Sequence, residues 1–125
     1  MQVRDATAED LTSVMNVLDG AVLAVDVEAV RASIGRDATL VAVSDDGQVL
    51  GALVLDGCHI EAVAVRRRRR GQGIGTALIE TAADRRISLT AEFDVDVRPF
   101  YESLGFAVDS LEEPGRCRGV YRPAE

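Results

Sequence analysis

The segment Val63-Ala-Val-Arg-Arg-Arg-Arg-Arg-Gly-Gln-Gly-Ile-Gly-Thr-Ala-Leu78 constrains this chain more than any other stretch: a strand-like run meets five arginines, glycines at 71, 73 and 75, and a helical pattern. Glycines at that spacing let the backbone take positive φ and let a ligand approach main-chain N–H groups without Cβ obstruction. The helix start adds unpaired N–H donors and a partial positive charge, which suits an anion such as a pyrophosphate. Arg70 adds a fixed charge with fork geometry. Two familiar phosphate loops do not fit. A P-loop needs Lys-Ser/Thr, and all 14 basic residues here are arginine. A dinucleotide fingerprint needs G-x-G-x-x-G after the first strand of a parallel unit, whereas this is G-x-G-x-G after a hairpin pattern.

The 125 residues are 47% apolar and 28% charged with a net charge of -7, which predicts one soluble domain spanning residues 1–125. A chain of this length buries roughly two thirds of its unfolded surface and needs neither disulfide nor structural metal. Cys58 and Cys117 are too few for a disulfide scaffold or tetrahedral zinc, and fit free thiols in a reducing cytoplasm. The polar start and the lack of an apolar run near the ~20 residues that span a bilayer predict neither secretion nor membrane insertion. Taking the five charges of Arg66 to Arg70 from -7 leaves -12 on the rest of the chain. An acidic, lysine-free surround reads as solubility or adaptation to a salty cytoplasm.

The periodicity predicts a strand from Val3, helices over Ala8 to Leu23 and Val27 to Ile34, and strands at 39–44, 49–55 and 59–65. Thr7 with Asp10 reads as the first helix's N-cap and acidic first turn, and Gly35 as the second helix's stop. A third helix with Ile74, Ala77, Leu78, Thr81 and Ala82 on one face ends near Arg85-Arg86. A strand at 87–93, a short helix over Pro99 to Leu104 stopped by Gly105, and strands at 106–110 and 118–121 complete the order β-α-α-β-β-β-α-β-α-β-β. That is a mixed, mostly antiparallel α/β sheet flanked by helices.

Arg70, Gly73 and Gly75 form R-x-x-G-x-G, Val65 ends its strand five residues earlier, and Phe100-Tyr-Glu-Ser-Leu-Gly-Phe106 is an aromatic-Tyr-Glu-x-x-Gly-Phe segment. Together, in this order, they resemble the two signatures of the Gcn5-related N-acetyltransferase (GNAT) family, and the element order agrees from Val3 to Tyr121. Arg67 stands where the family often has proline, and Asp94 where it often has asparagine with a hydrogen bond to the pantetheine arm.

The resemblance implies direct acetyl transfer from acetyl-CoA to a primary amine, of a small molecule or an exposed α-amine, with no metal. The fourth and fifth strands would splay to admit the pantetheine, whose amides would pair with Val63 and Val65 like an added strand, with Ala64 between them. Arg70, Gly71, Gln72, Gly73, Ile74, Gly75 and Thr76 would hold the pyrophosphate. Tyr101 is the expected acid for the departing thiolate; the alternative is a packing aromatic. Glu61 is the expected base, because unbroken alternation puts it on the face of Val63 and Val65. An exposed strand carboxylate, His59 and a water relay compete with that role. Two further functions stay open: a CoA-binding regulatory module without transferase activity, and a nucleic-acid patch at Arg66 to Arg70. Aromatic content of 4% and the acidic surround speak against the patch. A sheet edge also offers a route to pairing into a homodimer.

Overall fold

Seven apolar or alternating runs pair into a single sheet because each leaves backbone N–H and C=O groups that only a neighbour or water can satisfy. The computed structural model describes residues 1–20 and 25–122. The strands are β1 (Gln2–Asp5), β2 (Thr39–Val43), β3 (Val49–Asp56), β4 (His59–Val65), β5 (Leu89–Asp94), β6 (Ala107–Ser110) and β7 (Arg116–Tyr121). Their order is β1-β2-β3-β4-β5-β7-β6. Every pairing is antiparallel except β4 with β5.

Helices α1 (Leu11–Gly20), α2 (Val27–Gly35), α3 (Ile74–Arg85) and α4 (Arg98–Ser103) complete the expected order. A 3-10 turn over Ala8–Asp10 leads into α1, and residues 21–23 of the expected first helix lie outside the described residues. The entry is fixed by Asp10, whose carboxylate accepts from Thr7 N at 2.8 Å and from Arg4 on β1 at 2.8 and 3.2 Å. α2 ends at Gly35 as expected, one residue past Ile34, but the positive-φ turn falls to Asp37, with φ of 56°.

Two apolar layers sandwich the sheet. Val14, Val17 and Leu18 of α1 and Val30 and Ile34 of α2 cover Ala52, Val54, Ala62 and Ala64. On the opposite face Ile74, Leu78, Ile79 and Ala82 of α3 and Tyr101 of α4 meet Leu53, Leu55, Ile60, Leu89, Ala91 and Phe93. Ile79 replaces the expected Ala77 and Thr81 on the buried face of α3, and Thr81 instead donates to Ala77 O at 2.8 Å. Close approach of α3 depends on Gly51, where a Cβ would lie 3.0 Å from Ala64 O, 3.1 Å from Ile74 and 3.2 Å from Leu78.

The unbroken alternation expected along β4 is corrected by the register. Val54 pairs with Ala62 and Leu55 with Ile60, leaving Glu61 as an extra, unpaired residue. This β-bulge resets the faces: Ile60 packs beneath α3, whereas Ala62 and Ala64 pack beneath α1 and α2.

Candidate active site

β4 and β5 pair only at His59 with Thr90 and Ile60 with Ala91. Beyond those two pairs the strands part, β5 staying bound to β7 along Leu89–Asp94. A V-shaped gap opens toward the carboxyl ends of both strands. Which groups face it follows from one hydrogen bond: Arg66 N donates to Leu50 O on β3 at 2.8 Å. In an antiparallel pair alternate residues turn both backbone groups toward the same neighbour. Arg66, Ala64 and Ala62 therefore face β3, and Val63 and Val65 face the gap. Consistently, Val65 O accepts from Arg70 Nε at 3.2 Å.

The gap runs into the glycine turn. Gly71 and Gly73 have φ of 78° and 80°, conformations that L side chains avoid. Gly73 is the N-cap of α3 and no side chain caps the helix. The first closing bond is Ala77 N to Gly73 O at 3.0 Å, so the N–H groups of Ile74, Gly75 and Thr76 have no intrahelical partner. They point out of the helix at its positive end.

Gap and turn form one cleft of about 820 Å³, within the range of small-molecule sites. Glu61, Val63, Ala64, Val65, Arg70, Gly71, Gly73, Ile74, Gly75, Thr76, Asp94 and Tyr101 all line it. Gln72 is exposed and does not. Asp94 Oδ1 already accepts from Asp96 N at 2.9 Å, capping the 3-10 turn that leads to α4. His59 stands at the closed end of the V, its Nδ1 2.8 Å from Thr90 Oγ1, outside the cleft lining. A smaller cavity of about 220 Å³ between α3, α4 and β7 contains none of the expected site residues.

Tyr101 is positioned by aromatic packing. Its ring stacks on Phe93 and meets Phe100 and Phe106 edge-on, with centroids 5.3 and 5.2 Å away. Gly105, with φ of 96°, ends α4 and lets Phe106 N return to Tyr101 O at 3.1 Å, which brings Phe106 against the tyrosine. Among the described residues nothing hydrogen-bonds the hydroxyl, and no buried side-chain N or O lacks a partner. Burial pushes the phenol up to about 12. The side chain is therefore neutral, a proton donor, across the physiological range.

Several cleft residues escape sequence reading: Glu92, Phe93, Val97 and Arg116. Glu92 is there because β5 parts from β4 beyond Ala91, and Arg116 because β7, the last strand, inserts beside β5 with Asp94 opposite Arg116. No local signal announces that. The cleft is electrically divided, with Arg69 and Arg70 at the glycine turn and Glu61 and Glu92 along the strands. Among the described residues no group of His, Cys, Asp and Glu is placed to hold a metal ion, and no helix is long and apolar enough to cross a membrane.

Residues 4–120 match the family model described as an acetyltransferase (GNAT) domain. The peptidyl-lysine N-acetyltransferase YjaB of Salmonella typhimurium is 36% identical over 76 residues, which are 58% of this chain and 52% of that protein. The chain thus matches about half the length of that relative. Among solved structures, Rv2747 from Mycobacterium tuberculosis in complex with CoA superposes with a TM-score of 0.78 at 18% identity, covering 99% of this chain and 100% of that one. A GNAT-family acetyltransferase from Listeria monocytogenes gives 0.81 at 13% identity, covering 98% and 94%. The solution structure of apo YjaB from Escherichia coli gives 0.70 at 22% identity, covering 98% of each chain.

Proposed function

The chain belongs to the GNAT family of acetyltransferases, and on that premise we propose that it transfers the acetyl group of acetyl-CoA directly to a primary amine. The observation that carries this reading is the gap between β4 and β5 beyond Ile60 and Ala91, continuous with the uncapped N-terminus of α3. Acetyl-CoA supplies an activated thioester; the chain supplies binding, orientation and proton handling.

The free N–H groups of Ile74, Gly75 and Thr76 and the Arg70 guanidinium bind the diphosphate. The gap-facing N–H and C=O groups of Val63 and Val65 pair with the pantetheine amides as a strand would. A backbone N–H beside the bulge polarises the thioester carbonyl. A lysine-type amine, with an ordinary pKa of about 10.4, arrives protonated and is drawn to the carboxylates of the strand walls. Glu61 accepts its first proton, directly or through water; the nitrogen then bonds the thioester carbon as the C–S bond breaks, Tyr101 donates its proton to the departing thiolate, and the second proton shed by the nitrogen returns to Tyr101.

The acceptor is a small amine or an exposed α-amine, and the name of the Salmonella relative adds peptide lysine to the classes worth assaying. Exposed Cys58 and buried Cys117, both free, suit a reducing cytoplasm. The test is CoA release from acetyl-CoA with purified chain across small amines, peptides with free α-amines and lysine peptides. Acceptor-dependent release is expected. Tight CoA binding without release from any acceptor would overturn transfer and leave a CoA-binding regulatory module.

A further inference from the structure

Arg66 to Arg70 divide into different structural roles. Arg66 is half-buried and ties its Nε to Val49 O at 2.6 Å. Arg70 ties its Nε to Val65 O and lines the cleft. Between them Arg67–Arg69 form one exposed 3-10 turn, which sets three guanidinium groups on consecutive residues. Among the described residues, none of the three makes a side-chain hydrogen bond or has a carboxylate within 4.0 Å. Elsewhere Arg4, Arg31, Arg36, Arg85 and Arg98 each pair with a carboxylate. Asp46, on the β2–β3 turn, feels the charge of Arg69, but its own partners are Ser44 and Gln48 N.

Three adjacent guanidinium groups repel one another, and an acidic chain could readily have neutralised them. Arg69 instead stands in the wall of the cleft, and Arg67 and Arg68 precede it on the same turn. The diphosphate does not require them, since the start of α3 and Arg70 already serve it. Coenzyme A carries a third phosphate, the 3′-monoester of its ribose, with a charge near -2 and three acceptor oxygens. Guanidinium forks match that group well.

Resting on the acetyl-CoA reading above, we propose that Arg69, with Arg67 and Arg68 beside it, forms a subsite for the 3′-phosphate and makes the chain discriminate CoA from 3′-dephospho-CoA. The alternative anion, a polynucleotide, would meet only this one turn of positive charge in an acidic chain.

The test is calorimetric binding of CoA and of 3′-dephospho-CoA, without turnover, to the full chain and to the triple variant Arg67→Gln/Arg68→Gln/Arg69→Gln. The expected result is CoA binding about tenfold or more tighter than dephospho-CoA, with the ratio falling to about twofold or less in the variant. The dephospho-CoA affinity and the Tm should stay near the wild-type values. Equal binding of the two nucleotides by wild type, or a ratio that survives in the variant, overturns the subsite while leaving the acetyl-CoA reading intact. Failure of wild type to bind either nucleotide overturns both. A single-stranded RNA of about 20 nucleotides that binds more tightly than CoA, and is lost in the variant, would reassign the arginines and overturn the proposal.

Discussion

Tyr101 lies flat against Phe93, ring centroids 4.0 Å apart and planes 5° from parallel. The contact holds the phenol ring in one orientation at the cleft wall, so the hydroxyl can be removed without disturbing the stack. Tyr101→Phe should lower kcat by about 10- to 100-fold while leaving CoA affinity unchanged. Steady-state kinetics and calorimetry on the same preparation check this. An unaltered kcat would reduce Tyr101 to a packing residue.

The same burial has a consequence for stability at high pH. Tyr101 titrates near 12 in the folded chain and near 10 when unfolded. Above pH 10 the unfolded chain sheds the phenolic proton and the native chain keeps it. The stabilisation is therefore fully present below pH 10 and is lost as pH rises toward 12. Compared with Tyr101→Phe, wild type should lose up to about 2 to 3 kcal/mol over that interval, read from urea midpoints at each pH.

Glu61 sits at the bulge, exposed and in the cleft lining, and Glu92 lines the opposite strand. If the bulge carboxylate takes the amine's proton, Glu61→Gln should cut kcat/KM for the amine by about tenfold or more, and Glu92→Gln by much less. Raising the pH should partly rescue Glu61→Gln, because more amine is then neutral without help. A larger loss in Glu92→Gln, or no rescue, would move the base elsewhere.

Gly51→Ala tests the packing of α3 on β3. The added Cβ would come 3.0 Å from a backbone oxygen, Ala64 O, which cannot rotate away. A loss of about 1 to 3 kcal/mol is expected, seen as a lower Tm. Because Ala64 lies between Val63 and Val65, CoA affinity should fall as well. Gly35→Ala, where a Cβ meets nothing within 4 Å, is the control and should be near neutral or stabilising.

The parts of the site legible in the sequence are those whose chemistry is local. Gly71 and Gly73 were readable because a turn into a helix needs positive φ there, and Tyr101, Gly105 and Phe106 because one short helix and its glycine stop bring them together. The Thr7–Asp10 entry to the first helical stretch was equally local. The bulge at Glu61 was not, since it exists only in the register of β4 against β3, and Glu-Ala-Val reads as ordinary alternation. Arg116 and Glu92 are hidden for the same kind of reason: one depends on β7 inserting between β5 and β6, the other on β5 lying parallel beside β4. Phe93 read as a strand residue, and only the folded chain lays it beneath Tyr101.

The two residue pairs that join β4 to β5 make the sheet, mechanically, two plates of four and three strands sharing one short joint. Side chains packed beneath α3 and α4 glue one surface of both plates, but along most of the joint no backbone ladder crosses. A molecule lying in the V with partners on Val63 and Val65 supplies the missing rungs, so filling the cleft braces the two plates and stiffens the whole sheet.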